Sequence, residues 1–168
     1  KIINYRIRRG ICSILYIEEM KGEIKMFRYI IAIKIVAPRL KIRYDDNKQT
    51  CYDCDEKCLI IGNDFNGNDC GFMRHLREVH KYADADQYCF ALWTLLHEIG
   101  HYYTIDYVED DLWTRTFCGL FSCEEASKDS ELQDMYFNIK SEWEATGWAI
   151  KWISSHKRIA KILNWIVR

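Results

Sequence analysis

Apolar and polar residues alternate differently along the chain, strand-like before residue 62 and helix-like after residue 84. From Phe27 to Tyr44, Ile, Val and aromatic residues crowd around Pro38. This reads either as one strand, or as a short helix followed by a strand over Leu40-Lys41-Ile42-Arg43-Tyr44. After a turn at Asp45-Asp46-Asn47, Thr50 to Gly62 has a hairpin pattern: Cys51-Tyr52-Asp53, a polar turn at Asp55-Glu56-Lys57, then Cys58-Leu59-Ile60-Ile61-Gly62. Asn63 to Gly71 holds two Gly and three Asn and reads as loop. Tyr88 to His101 is apolar nearly all round, as expected of a buried central helix, with Asp84 or Asp86 as its cap and Gln87 three residues after Asp84. Residues 104–129 show no clean period and contain the acidic run Glu109-Asp110-Asp111, which predicts a long connection with one short element. Ser130 to Gln133 forms a capping box opening a helix from Glu131 to about Ser154. A basic amphipathic helix, Lys157 to Val167, follows. Strands first and helices after them predict an α+β domain.

The chain of 168 residues, with 49% hydrophobic and 29% charged residues, fits one globular domain and excludes disordered or collagen-like sequence. No apolar run approaches the ~18 residues of a membrane span. Net charge is −1, but residues 1–48 carry 12 Lys/Arg against 5 acids, residues 49–150 carry 7 against 20, and residues 151–168 carry 5 against none. Basic ends of this kind are read as solvated faces, so neither a nucleic-acid nor a membrane partner is expected. The first 25 residues are atypical. The run Lys21-Gly22-Glu23-Ile24-Lys25-Met26 can be encoded by a purine-rich stretch resembling a bacterial ribosome-binding site just before an ATG. The expectation is therefore an over-extended N-terminus over 1–25 and a domain over 26–168, the alternative being an ordinary N-terminal segment.

Chemistry enters at His97-Glu98-Ile99-Gly100-His101, the HExxH pattern inside the apolar helix. Residues i and i+4 lie one turn apart on one face, so two imidazoles can share a Zn²⁺, while Glu98 beside the first can act as general base toward a water at the open position. Two His and a Glu on so apolar a helix would each need burial partners if they did nothing. A catalytic zinc wants a third protein ligand. Thr104 and Tyr107 stand where the longer metzincin pattern has Gly and His, so a carboxylate on a second helix is expected. In Glu142-Trp143-Glu144-Ala145-Thr146-Gly147-Trp148-Ala149, Glu142, Ala145 and Ala149 share one face, and the small residues allow close approach to the His helix. Gly100 is expected to relieve crowding on the other side. Glu142 is the expected ligand. Glu144, about 200° around the helix, is the reserve, and Glu124 and Glu125 are further alternatives.

These residues carry a family resemblance. His97-Glu98-Ile99-Gly100-His101 with Glu142-x-x-Ala145-x-x-Trp148-Ala149 resembles the ImmA/IrrE family of zincin metallopeptidases of bacteria, phages and mobile elements, which show HE[LI]GH and then ExxAxxFA. The resemblance covers roughly residues 40–155. Trp148 stands in place of the family's Phe, and no helix-turn-helix is evident. It implies a small α+β, zincin-like fold with a short sheet beside the buried active-site helix and a second, ligand-bearing helix, with His97, His101 and Glu142 as zinc ligands and Glu98 as catalytic base. Family members cleave repressor proteins and so switch on mobile-element or stress-response genes.

Cys51-x2-Cys54-x3-Cys58, with Cys70 beyond, allows a second, structural zinc site or a disulfide, but a single CxxC on predicted strands favours free thiols. Cys89, Cys118 and Cys123 read as core. His75 and His80, five apart, are not expected to share a face, and His156 reads as a helix-end residue that could alternatively stabilise an oxyanion. Together the residues predict a cytoplasmic, zinc-dependent metallopeptidase of gluzincin type acting on a protein or peptide, and the resemblance implies a repressor as that substrate. The alternative is a non-catalytic regulatory or interaction module that keeps zinc for structure.

Overall fold

Pro38 cannot continue a helix, and in the computed structural model, which describes residues 26–45, 47–62, 70–105 and 130–168, the chain stops one just before it. Residues 26–36 form α1, burying Tyr29, Ala32 and Ile33 at helical spacing. Lys34 Nζ folds over the helix end to donate to the Leu40 carbonyl at 2.6 Å. The helix-then-strand reading of this region is the one that holds.

Three strands follow: β1 (Lys41–Tyr44), β2 (Cys51–Asp53) and β3 (Cys58–Ile61), in the order β1-β3-β2. β2 and β3 form the expected antiparallel hairpin, with Tyr52 opposite Leu59, whereas β1 runs parallel to β3. The uninterrupted run Cys58-Leu59-Ile60-Ile61 suits the central strand, buried along its whole length. In the hairpin turn Lys57 takes a left-handed conformation (φ 50°), and the Asp53 carboxylate accepts the Glu56 N–H at 2.9 Å. Arg43 of β1 reaches across to pair with Glu56 and, at 3.8 Å, Asp53.

The helices depart from expectation in three places. Cys70 and Gly71 are not loop but the first turn of α2 (Cys70–Glu78), because Phe72, His75 and Leu76 recur at helical spacing and are all buried. Asp84 and Asp86 do not cap the central helix. Asp84 precedes a 3₁₀ turn (Ala85–Gln87) that contains Asp86, and accepts a hydrogen bond from the Gln87 side chain at 2.7 Å. The central helix, α3 (Phe90–Thr104), starts after Cys89, which is extended and whose N–H donates to Asn164 Oδ1 at 2.7 Å. Finally, the single helix expected over 131–154 is two, α4 (Ser130–Phe137) and α5 (Lys140–Ser155). The break falls at Asn138, whose side chain joins its own N–H on the Asp134 carbonyl at 2.7 Å, and the next N–H, of Ile139, turns to the Tyr136 carbonyl at 3.0 Å. The terminal helix α6 (Lys157–Val167) matches the sequence reading.

α3 lies at the centre, packed along α5, with β2 on one side and α6 across its start. Its buried residues (Leu92, Trp93, Leu95, Leu96 and Ile99) join α1, β3, α2 and the inner faces of α5 and α6 in one core. The expectations for the over-extended segment 1–25, the loop 63–69, Asp46, the connection 106–129 with Glu124 and Glu125, and Cys118 and Cys123 lie outside the described residues. No helix among the described residues is long and apolar enough to cross a membrane.

Candidate metal centre

The closest helix-to-helix approach builds the site. An added Cβ on Gly100 would lie 2.5 Å from the Ala145 carbonyl oxygen, so only glycine lets α3 and α5 meet there. Gly100 thus relieves crowding on the α3 side of the seam, as the sequence suggests. Across this seam α5 presents a buried stripe of Glu142, Ala145, Thr146, Ala149 and Ile153, while Glu144 is exposed.

His97 and His101 are buried on α3, and their Nε2 atoms are 3.2 Å apart. Glu142, 1% exposed, faces both: Oε2 is 3.0 Å from His97 Nε2 and Oε1 is 3.5 Å from His101 Nε2. Two imidazole nitrogens and a carboxylate from two helices therefore converge on one point. Among the described residues, the set of His, Cys and acidic groups able to bring three ligand atoms within 4.8 Å of one another and hold a metal ion is His97, Glu98 and His101. Glu142 lies closer still to the two histidines than that limit requires. Cys51, Cys54 and Cys58 form no disulfide and join no such set among the described residues; the side chain of Cys70 lies outside them.

Electrostatics reinforce the convergence. Burial alone would push the His101 imidazolium down, but the Glu142 carboxylate, through its charge and hydrogen bond, raises it to about 9. Burial likewise pushes the Glu142 carboxyl up, and His101 and His97 overcome this and hold it far below the usual carboxylate range. Without a metal the two groups form a buried ion pair. His101 Nδ1 is buried with no hydrogen-bond partner.

Glu98 belongs to the same centre but is held differently. It is half-buried, and its Oε2 accepts the Tyr52 backbone N–H at 2.7 Å. β2 is an edge strand, so this amide is free of the sheet ladder and turns to α3 instead. Burial raises the Glu98 carboxyl above its ordinary value, and the neighbouring Glu142 adds to this against the opposing pull of His97 and His101.

Three contributors were not anticipated from the sequence. Thr146 Oγ1 lies 3.0 Å from His97 Nδ1. With Nδ1 donating to Thr146, Nε2 keeps its lone pair for a cation. The signal was present, since Thr146 is four residues after Glu142 on the same face. The Tyr52 amide carried no sequence signal. Phe72 of α2 packs edge-on against His97, ring centroids 5.3 Å apart. One expectation about other histidines changes, and the reading of His156 as a helix-end residue holds. His75 and His80 do meet, with ring centroids 4.9 Å apart, because the chain turns just after α2. His156 ends α5, its Nδ1 2.9 Å from the Trp152 carbonyl oxygen, about 20 Å along the helix from Glu142.

No family model, no curated protein and no solved structure matches the chain.

Proposed function

We propose that this chain is a zinc-dependent metallopeptidase of gluzincin type, with His97, His101 and Glu142 as ligands and Glu98 as general base. The observation that carries the proposal is the convergence of the two Nε2 atoms and the Glu142 carboxylate at 3.0, 3.2 and 3.5 Å. Ligand atoms about 2.1 Å from a zinc ion at tetrahedral angles lie about 3.4 Å apart, so the three present one face of a coordination tetrahedron. A buried ion pair would account for His101 and Glu142, but not for a second carboxylate fixed beside them by an edge-strand amide.

When bound, Zn²⁺ supplies a Lewis acid that polarises a carbonyl and acidifies a water. The remaining work falls to the chain. Thr146 fixes the His97 ring through Nδ1, leaving Nε2 to point inward. The Tyr52 amide holds Glu98 so that one oxygen is anchored and the other can take a proton from the attacking water and deliver it to the departing amine. The raised Glu98 carboxyl suits that role, because burial makes the carboxylate a stronger proton acceptor than an exposed one. The resemblance to the ImmA/IrrE family supports a protein substrate cut at a particular site, a cytoplasmic setting, and regulation of phage, mobile-element or stress-response genes, with a repressor as the candidate target.

A second reading rests on Glu98 itself. Its reach to both histidines would let it close the coordination sphere and make the metal structural, in a regulatory or interaction module. Glu98→Gln separates the two. On a mixed-peptide substrate, the peptidase account expects full zinc content and roughly a thousandfold loss of zinc-dependent cleavage. Loss of the zinc on this substitution, or unchanged cleavage, would overturn the role given to Glu98.

A further inference from the structure

Helix α6 buries one stripe, Ala160, Leu163 and Val167, and leaves an outer arc that solvent alone does not explain. Ile159 is 39% exposed, Ile162 57% and Trp165 80%. Lys157, Arg158, Lys161 and Arg168 are exposed around them, and residues 151–168 contain no acidic side chain to balance these charges. Within the helix no acid can pair with a base one turn away, and among the described residues no ion pair reaches these exposed cations.

We infer that the outer face of α6 docks the protein on an anionic lipid surface. Three features favour this occupant. The uncompensated positive charge calls for a polyanion. A nucleic acid would meet that charge through its phosphates but would gain little from Ile159, Ile162 and Trp165, whereas a bilayer takes apolar side chains below its headgroups and seats indole at that level. The spacing decides against a partner helix. Residues 159, 162 and 165 step by three, so each lies 60° further round than the last, and they spread over about 120° with Arg158 among them. A partner helix needs a narrow seam at alternating steps of three and four; a broad mixed arc suits a fluid surface. Lys157, Lys161 and Arg168 border the arc on one side, where their stems can lie along it while their charges reach phosphate. The helix lies on the membrane and does not cross it, which sets aside the expectation of no membrane partner. The inference is independent of the metal centre.

Flotation of the full-length protein with vesicles tests it. The vesicles are phosphatidylcholine alone, or phosphatidylcholine with about one-third phosphatidylglycerol. Binding to the anionic vesicles at least about tenfold tighter than to the neutral ones, and weakened by raising salt, is the expected result. Lys157→Glu/Arg158→Glu/Lys161→Glu and, separately, Ile162→Ser/Trp165→Ser should each weaken it by about tenfold or more. All five positions are exposed, and an unchanged melting temperature in each variant shows that the fold is kept. Equal binding to both vesicles, or loss only in the charge variant with Ile162→Ser/Trp165→Ser binding normally, would overturn the inference. So would tighter binding to duplex DNA than to anionic vesicles at the same salt.

Discussion

His97 meets four groups at once, and each limits what its ring can do. Thr146 takes Nδ1, Phe72 covers an edge, and Nε2 is left facing Glu142 and His101. Such outer partners set the tautomer and orientation of a ligand histidine. Thr146→Val keeps the side-chain shape but removes the oxygen, and is expected to weaken zinc binding roughly tenfold to a hundredfold in a chelator competition. Unchanged affinity would mean that the Thr146 contact does not orient His97. At the same scale, the HExxH residues and Glu142 were legible in the sequence because their relation is local: i to i+4 on one helix, and a small-residue stripe on another. Thr146 was equally local but carries no charge, so nothing drew it out. The Tyr52 amide was out of reach, because it acts through backbone on residue 98, 46 positions away.

At the scale of the element, α3 and α5 are held together by an absence, the missing Cβ of Gly100 against the Ala145 backbone. In an open helix Gly→Ala would stabilise by about 1 kcal/mol. Here the added methyl meets backbone that cannot turn aside, and overpacking of this kind costs about 1–3 kcal/mol. Gly100→Ala is therefore expected to lower the melting temperature, and to weaken zinc binding as Glu142 moves outward with α5. A raised melting temperature would contradict the close approach. Elements set by their own periodicity were legible: the β2–β3 hairpin and α6 fall where the pattern puts them. Those set by competition were not. Asn138 gives its side chain to a helical carbonyl where one expected helix divides into α4 and α5. The start of α3 is fixed by Asn164, 75 residues on, so the nearer Asp84 and Asp86 misled. The parallel pairing of β1 with β3 likewise depends on partners that no local pattern names.

For the whole molecule, the metal centre couples binding to pH. Without metal, Glu142 keeps His101 protonated up to about 9. A cation needs the neutral ring, so it must displace that proton. Apparent zinc affinity should then rise by up to about tenfold per pH unit between roughly pH 7 and 9, with about one proton released per zinc near pH 7. Calorimetry in two buffers of different ionisation enthalpy reads that proton, and none released would refute the ion pair. The same pair acts on stability in the opposite sense. His101 has a folded value raised above its ordinary one, so its contribution to the metal-free protein is full below about pH 6.5 and is lost as pH rises through about 9.

The proposed peptidase chemistry requires His97, His101 and Glu142 to hold one metal ion. Zinc per chain, measured by elemental analysis on protein never exposed to chelator, with Glu142→Ala purified alongside, tests this most directly. About one zinc per chain, lost or much weakened in Glu142→Ala, is the predicted result. No metal in the unmodified chain, or an undiminished zinc in Glu142→Ala, would contradict it.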